Sequence, residues 1–195
     1  MRKGAWLFAV AAIAACADTG SDRVGEATLE ISGGVLDPDD AAVVGIYVDT
    51  TGATCTGSLI APNLVLTARH CVSDLPPMFD CTSAAYGAPF APGGVYVTTQ
   101  PNLLLAIPSD FYQTAEIGVE PGPGLVCGDD MAVLVLTDAI PSAEAAPLEP
   151  RVETSAAPPE MYAAVGYGAT SDFGNESGER RRRDGLIVVC AGTGC

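Results

Sequence analysis

Residues 55–71 read Cys55-Thr-Gly-Ser-Leu-Ile-Ala-Pro-Asn-Leu-Val-Leu-Thr-Ala-Arg-His70-Cys71. Two apolar runs, Thr56–Ala61 and Leu64–Thr67, flank the turn residues Pro62 and Asn63, so the stretch reads as a strand, a turn and a second strand. The second strand leads into His70, the single histidine of the chain. An imidazole gains and loses its proton close to neutral pH and can therefore act as a general base. It does so only when held rigidly at the mouth of a cleft.

Outward from this hairpin, short apolar runs recur in both directions: Ala42–Val48, Val95–Thr99, Leu103–Ile107, Ala115–Val119, Met131–Leu136, Met161–Tyr167 and Leu186–Val189. Gly, Pro, Asp and Asn punctuate the gaps. Many short strands without a sustained helical period predict an all-β barrel or sandwich with little helix. A hydrophobic fraction of 48% with 22 Gly and 15 Pro fits a compact, loop-rich β protein. Thr137–Ala157, rich in Pro, Ala and Glu, lacks a strand pattern and reads as a linker. Arg180–Arg183 follows the polar stretch Ser171–Glu179 and reads as a solvated loop, or more sharply as an exposed site for processing by another protease.

The formal net charge of -15 argues against sequence-independent nucleic-acid binding and against attraction to anionic membranes. At the N-terminus, Arg2 and Lys3 precede the apolar run Ala5–Ile13, too short to span a bilayer. Ile13-Ala14-Ala15-Cys16 resembles a bacterial lipobox. Residues 1–15 are thus expected to be a signal peptide, Cys16 the lipidated first mature residue, and 16–30 a tether or propeptide. Setting Cys16 aside from the seven cysteines leaves Cys55, Cys71, Cys81, Cys127, Cys190 and Cys195, an even set that suits disulfides in an exported chain. Spacing alone leaves their pairing open. Without a C-x-x-C pair and with one histidine, no metal site is expected, and no cofactor.

The 55–71 stretch resembles the Cys-Gly-Gly-Ser-Leu-Ile … Ala-Ala-His-Cys block of chymotrypsin-like serine proteases, the S1 peptidase family. Thr56 replaces one glycine and Arg69 the alanine before the histidine. A second block, Cys127-Gly-Asp-Asp130-Met-Ala-Val-Leu-Val-Leu136, resembles the family's Asn-Asp-Ile-Ala-Leu-Leu strand, with Asp129 at the Asn position. Ile31-Ser-Gly-Gly34 resembles the mature start Ile-Val-Gly-Gly; read blandly, it is a turn into the first strand.

This resemblance implies a double β-barrel, a catalytic base at His70, an orienting carboxylate at Asp130, and protein or peptide substrates. It also implies a possible activated N-terminus at Ile31 and a bridge from Cys55 to Cys71. The longer excursion between His70 and Asp130 suggests a second bridge, Cys81 to Cys127, which leaves Cys190 with Cys195. Domain bounds follow: 31–195 as a partial peptidase domain, with 31–140 the first barrel, 141–157 the linker and 158–195 the start of an incomplete second barrel.

The family's Gly-Asp-Ser-Gly-Gly does not occur in the chain. Asn175-Glu-Ser177-Gly-Glu179 imitates it, but lacks the paired glycine that turns backbone donors inward, and Ser177 reads as a loop residue. The expectation is therefore an exported, membrane-anchored or secreted serine endopeptidase truncated before its nucleophile. The alternatives are a non-catalytic binding module, an incomplete gene product, or a split enzyme completed by another chain.

Overall fold

The computed structural model of the chain describes residues 34–76, 80, 83–121, 124–170 and 177–191. Among these, the strands are β1 (Val35–Leu36), β2 (Val43–Val48), β3 (Ala53–Ala61), β4 (Leu64–Thr67), β5 (Val95–Thr98), β6 (Tyr112–Val119), β7 (Ala132–Leu136), β8 (Met161–Gly166) and β9 (Arg181–Ile187). The helical pieces are single 3-10 turns. The all-β expectation holds.

Six strands close into an antiparallel barrel in the order β2-β3-β4-β7-β6-β5. Its core is the inward set of the alternating runs: Val44, Ile46 and Val48 of β2, Leu59, Val65, Val95, Val97, and Leu134 and Leu136 of β7. Each such side chain contributes roughly 1.5–3 kcal/mol on burial. Along β4 and β7 burial alternates with a period of two, although their sequences are apolar at nearly every position.

The segment expected to be a linker lies along the barrel. Ile140 and Ala145 enter the core, and the backbone N–H of Leu148 donates to the Leu59 carbonyl at 2.8 Å. The Glu144 carboxylate accepts from Thr99 Oγ1 at 2.5 Å and from the Tyr112 hydroxyl at 2.6 Å. Burial and that carboxylate push the Tyr112 hydroxyl up to about 12.

The remaining strands form an open three-stranded sheet in the order β1-β9-β8. Here the structure corrects two expectations. Leu103–Ile107 is not a strand: residues 103–105 form a turn, which the Asn102 side chain starts by accepting the Leu104 N–H at 2.8 Å, and residues 106–107 are irregular. Leu103 is buried against Gly45, where an added Cβ would come within 2.9 Å of it, while Leu104 and Leu105 face solvent.

The second correction concerns Arg180–Arg183. It is neither a solvated loop nor an exposed cleavage site: Arg181 and Arg182 are paired on both sides, with Leu36 and Val35 of β1 and with Gly166 and Val165 of β8. The last strand accordingly begins at Arg181 and ends at Ile187, rather than spanning Leu186–Val189.

Arg180 itself is 1% exposed. Its Nε donates to the Asp37 carbonyl at 3.0 Å and its Nη2 to the Pro38 carbonyl at 3.0 Å. Nη1 reaches the carbonyls of Val43 at 3.1 Å and Thr99 at 3.0 Å, and the Tyr167 hydroxyl at 3.1 Å. Tyr167 passes the contact on, its hydroxyl donating to the Gln100 carbonyl at 2.7 Å. One guanidinium thus ties the open sheet to the barrel and to the segment following β1.

The Asp37 carboxylate lies 4.0 Å from Arg180 Nε, and its Oδ1 accepts the backbone N–H groups of Asp39 at 3.0 Å and Asp40 at 3.2 Å. Burial pushes this carboxyl up, but those hydrogen bonds and the Arg180 charge outweigh it and hold it below the usual carboxylate range. A depressed folded-state value means stability that is present above the unfolded carboxyl value, near pH 4, and lost as pH falls through the folded one. Urea unfolding at pH 7 and pH 3 should show a smaller acid loss in Asp37→Asn than in the parent. An equal loss in both would refute that assignment.

Candidate active site

His70 sits at the end of β4, where the chain leaves the barrel through a 3-10 turn, Arg69–Cys71. Arg69 and Cys71 are buried on either side of it, while the imidazole faces solvent. The turn is closed by the Cys71 N–H on the Ala68 carbonyl at 3.2 Å and the Val72 N–H on the Arg69 carbonyl at 3.0 Å. It is also clamped by a disulfide from Cys55 to Cys71, with 6.0 Å between Cα atoms. By chain entropy, a bridge with a sequence separation of 16 is worth roughly 3 kcal/mol. The two sulfur atoms lie near the His70 ring but are joined to each other, so they offer no thiolate to a metal ion.

Sheet register brings Asp130 to this turn. Thr67 of β4 pairs with Ala132 of β7, so the chain running on to His70 and the chain arriving from Asp130 share one rim of the barrel. There Asp130 grips the histidine twice. Oδ1 accepts the His70 backbone N–H at 2.9 Å, and Oδ2 lies 2.8 Å from Nδ1. The second contact fixes the ring proton on Nδ1 and leaves Nε2 as the proton acceptor.

Burial pushes the Asp130 carboxyl up, yet the backbone and ring donors of His70 and the Tyr86 hydroxyl more than compensate, holding it below the usual carboxylate range. Asp129 plays a different part. Its Oδ2 accepts the Leu125 N–H at 2.7 Å, which makes it a former of the turn before β7.

A sequence model of the family described as Trypsin matches residues 31–183. The chain belongs to the trypsin family. No curated protein matches its sequence. Among solved structures, an inactivated protease paralogue of the scabies mite, S-D1, is similar in fold, with a TM-score of 0.61 and 18% identity. The alignment covers 79% of this chain and 61% of that one, so this trypsin-family chain spans less than two thirds of the structure it matches. The comparison supports the chymotrypsin-like arrangement of a closed barrel joined to a second sheet.

The other expected site residues fall into two groups. Cys127 and Cys190 are each in a disulfide; their expected partners Cys81 and Cys195 lie outside the described residues, as do Cys16 and Ile31. Ser177 adjoins Gly178, whose backbone bonds the Leu103 N–H at 2.7 Å and the Tyr167 carbonyl at 2.8 Å, which places it beside the Leu103–Leu104 turn. One residue of this trypsin-family site had no signal in the sequence. Tyr86 stands in a stretch without a motif, and only the fold shows that it is buried with its hydroxyl donating to the Val126 carbonyl at 3.3 Å, in the segment that leads to Asp130. A buried tyrosine needs a partner for its hydroxyl, but the sequence does not say which.

Proposed function

We propose that the chain is the base-bearing part of an exported serine endopeptidase acting on protein or peptide substrates. His70 is its general base and Asp130 the residue that orients it. The reading is carried by the double grip of Asp130 on the His70 backbone and ring. In this mechanism Nε2 takes the proton of a serine hydroxyl as its oxygen attacks the scissile carbonyl. The imidazolium, steadied by Asp130, then gives that proton to the leaving amine. No Gly-Asp-Ser-Gly-Gly occurs in residues 1–195, so the acyl step requires a serine and oxyanion donors from polypeptide outside this sequence. Residues 31–140 then form the first barrel, 141–157 a connection and 158–195 the opening of the second.

A second reading, a non-catalytic binding module, is favoured by that same missing motif. The nucleotide sequence beyond codon 195 separates the two. A Gly-Asp-Ser-Gly-Gly within several dozen codons, in any frame, supports the peptidase, provided the joined product cleaves peptides and His70→Ala abolishes the cleavage. Absence of the motif supports the binding module.

Lipid attachment at Cys16 belongs to the same proposal, supported by the small residues Ala14 and Ala15 before it and the polar stretch after it. Cys16→Ser is expected to release the protein from membranes or to block its processing. Several acyl chains anchor stably where one does not, so fractionation should be clear-cut. Recovery of the parent as an unmodified soluble protein refutes the anchor. Cleavage before Ile31 would free an amine to order the site, although Glu30 is not a residue a trypsin-like activator cuts after.

For the remaining cysteines we propose Cys81 with Cys127 and Cys190 with Cys195. Non-reducing peptide mapping should recover both linked peptides. Any cross-linked peptide joining Cys127 to Cys195 would overturn the assignment.

A further inference from the structure

Residues 81–109 carry no charged side chain, although Asp, Glu, Lys and Arg make up 17% of the chain. The end of that stretch, Pro101-Asn-Leu-Leu-Leu-Ala-Ile-Pro108, belongs to the connection between β5 and β6. Its path is fixed at both ends. The Leu103 N–H donates to the Gly178 carbonyl at 2.7 Å, and the Ile107 N–H to Asp110 Oδ2 at 2.9 Å. Leu103 is buried, yet Leu104, Leu105 and Ile107 are 75%, 78% and 58% exposed. A held apolar tip in water forgoes the free energy of burial, and clustered exposure of this kind marks a surface that something covers.

The same connection helps to line a hollow of about 450 Å³, where Leu103, Ala106 and Pro108 meet three aromatic rings, Tyr47 of β2, Tyr96 of β5 and Phe111. Tyr47 pairs with Tyr96 across the strands, and the Phe111 ring centre lies 6.4 Å from the first and 6.5 Å from the second. The chain also enters the fold beside this face. Leu36, itself exposed, lines a second hollow together with Pro101 and Asn102. Only residues 17–33 separate Cys16 from Gly34, and a chain of that length spans at most about 60 Å. Lipid on Cys16 therefore keeps the domain close to a bilayer, and at that effective concentration a small apolar face suffices to dock it.

We propose that residues 103–107 form a membrane-docking face. Leu104, Leu105 and Ile107 enter the boundary of the acyl layer, while Tyr47 and Tyr96 lie at the level of the headgroups, the depth that tyrosine rings favour. The lack of charge over residues 81–109 spares this face the repulsion that the net charge of -15 brings elsewhere. The docking face rests on the reading of Cys16 as lipidated.

Processing at Cys16 removes Trp6, the single tryptophan, so one introduced into the mature lipidated protein reports alone. Leu105→Trp puts it on the docking face. Met131→Trp is the control: Met131 is exposed and precedes Ala132, which pairs with Val119, at the opposite end of β6 from Phe111. On phosphatidylcholine vesicles, Leu105→Trp emission should move to shorter wavelength and be quenched by brominated acyl chains. Emission from Met131→Trp should stay as in water. Adding Leu104→Ser and Ile107→Ser should reverse both effects at residue 105, lowering the ratio of docked to undocked protein at least about a hundredfold.

Vesicle-bound protein with lipid on Cys16 but an unquenched Leu105→Trp overturns the docking face and leaves the anchor standing. Equal quenching at both positions overturns it too, because no one face is then chosen. A shift to shorter wavelength without quenching, growing with the density of protein on the vesicle, assigns the face to a second copy instead. Mature protein without lipid on Cys16 defeats the anchor reading, and the docking face with it.

Discussion

The 195-residue chain should form no adduct with a serine-directed phosphonate and should cleave no peptide substrate. His70 can accept a proton and Asp130 can orient it, but neither forms the acyl bond. Each missing oxyanion donor alone removes roughly 10²–10³ in rate. Joined to a downstream Gly-Asp-Ser-Gly-Gly, the chain should gain both labelling and turnover. In that form His70→Ala should cost on the order of 10⁶ in kcat. Asp130→Asn should cost about 10⁴, because an amide donates where the carboxylate accepted and selects the wrong imidazole tautomer. Phosphonate on Ser177 of the short chain, lost in Ser177→Ala, would mean that the nucleophile had been misplaced.

Arg180→Met should lower stability by about 3–5 kcal/mol, the usual cost of removing one partner from a buried charged network. It leaves the carbonyls of Asp37, Pro38, Val43 and Thr99 without this donor, and the Asp37 carboxylate without its cation. At this chain length the change corresponds to a fall in Tm on the order of 10 °C. Arg180→Lys keeps the charge but not the planar fork, and should recover only part of the loss. A fall in Tm within about 2 °C in the methionine variant would show that the guanidinium is dispensable.

The barrel was legible because its strands obey a local rule. Short apolar runs such as residues 43–48 and 132–136 mark the strands without knowledge of any partner strand, although residues apolar at nearly every position do not name the inward face. His70 and Asp130 were legible through the motifs around them. Arg180 was not. A run of arginines satisfies every criterion for a solvated loop, and what overrides it is a set of main-chain carbonyls from residues far away in the chain. Arg69 and Tyr86 escaped for a similar reason, since their surroundings are assembled by the return of residues 124–130. Leu103–Ile107 failed the other way: hydrophobicity suggested a strand, and the side chain of Asn102 supplied a turn. Local patterns are read from local residues; buried polar contacts between distant segments are not.

The Arg180 contacts also impose an order on synthesis. Translation produces the acceptors at Asp37, Pro38, Val43 and Thr99 well before their donor, and β1 waits equally long for Arg181 and Arg182. Every strand of the barrel precedes Arg180 in the chain, so as the chain emerges N-terminus first the barrel walls can pair while one rim still keeps water on those carbonyls. Only when residue 180 has emerged can that rim be dried, making this arginine a late latch on a wall already built.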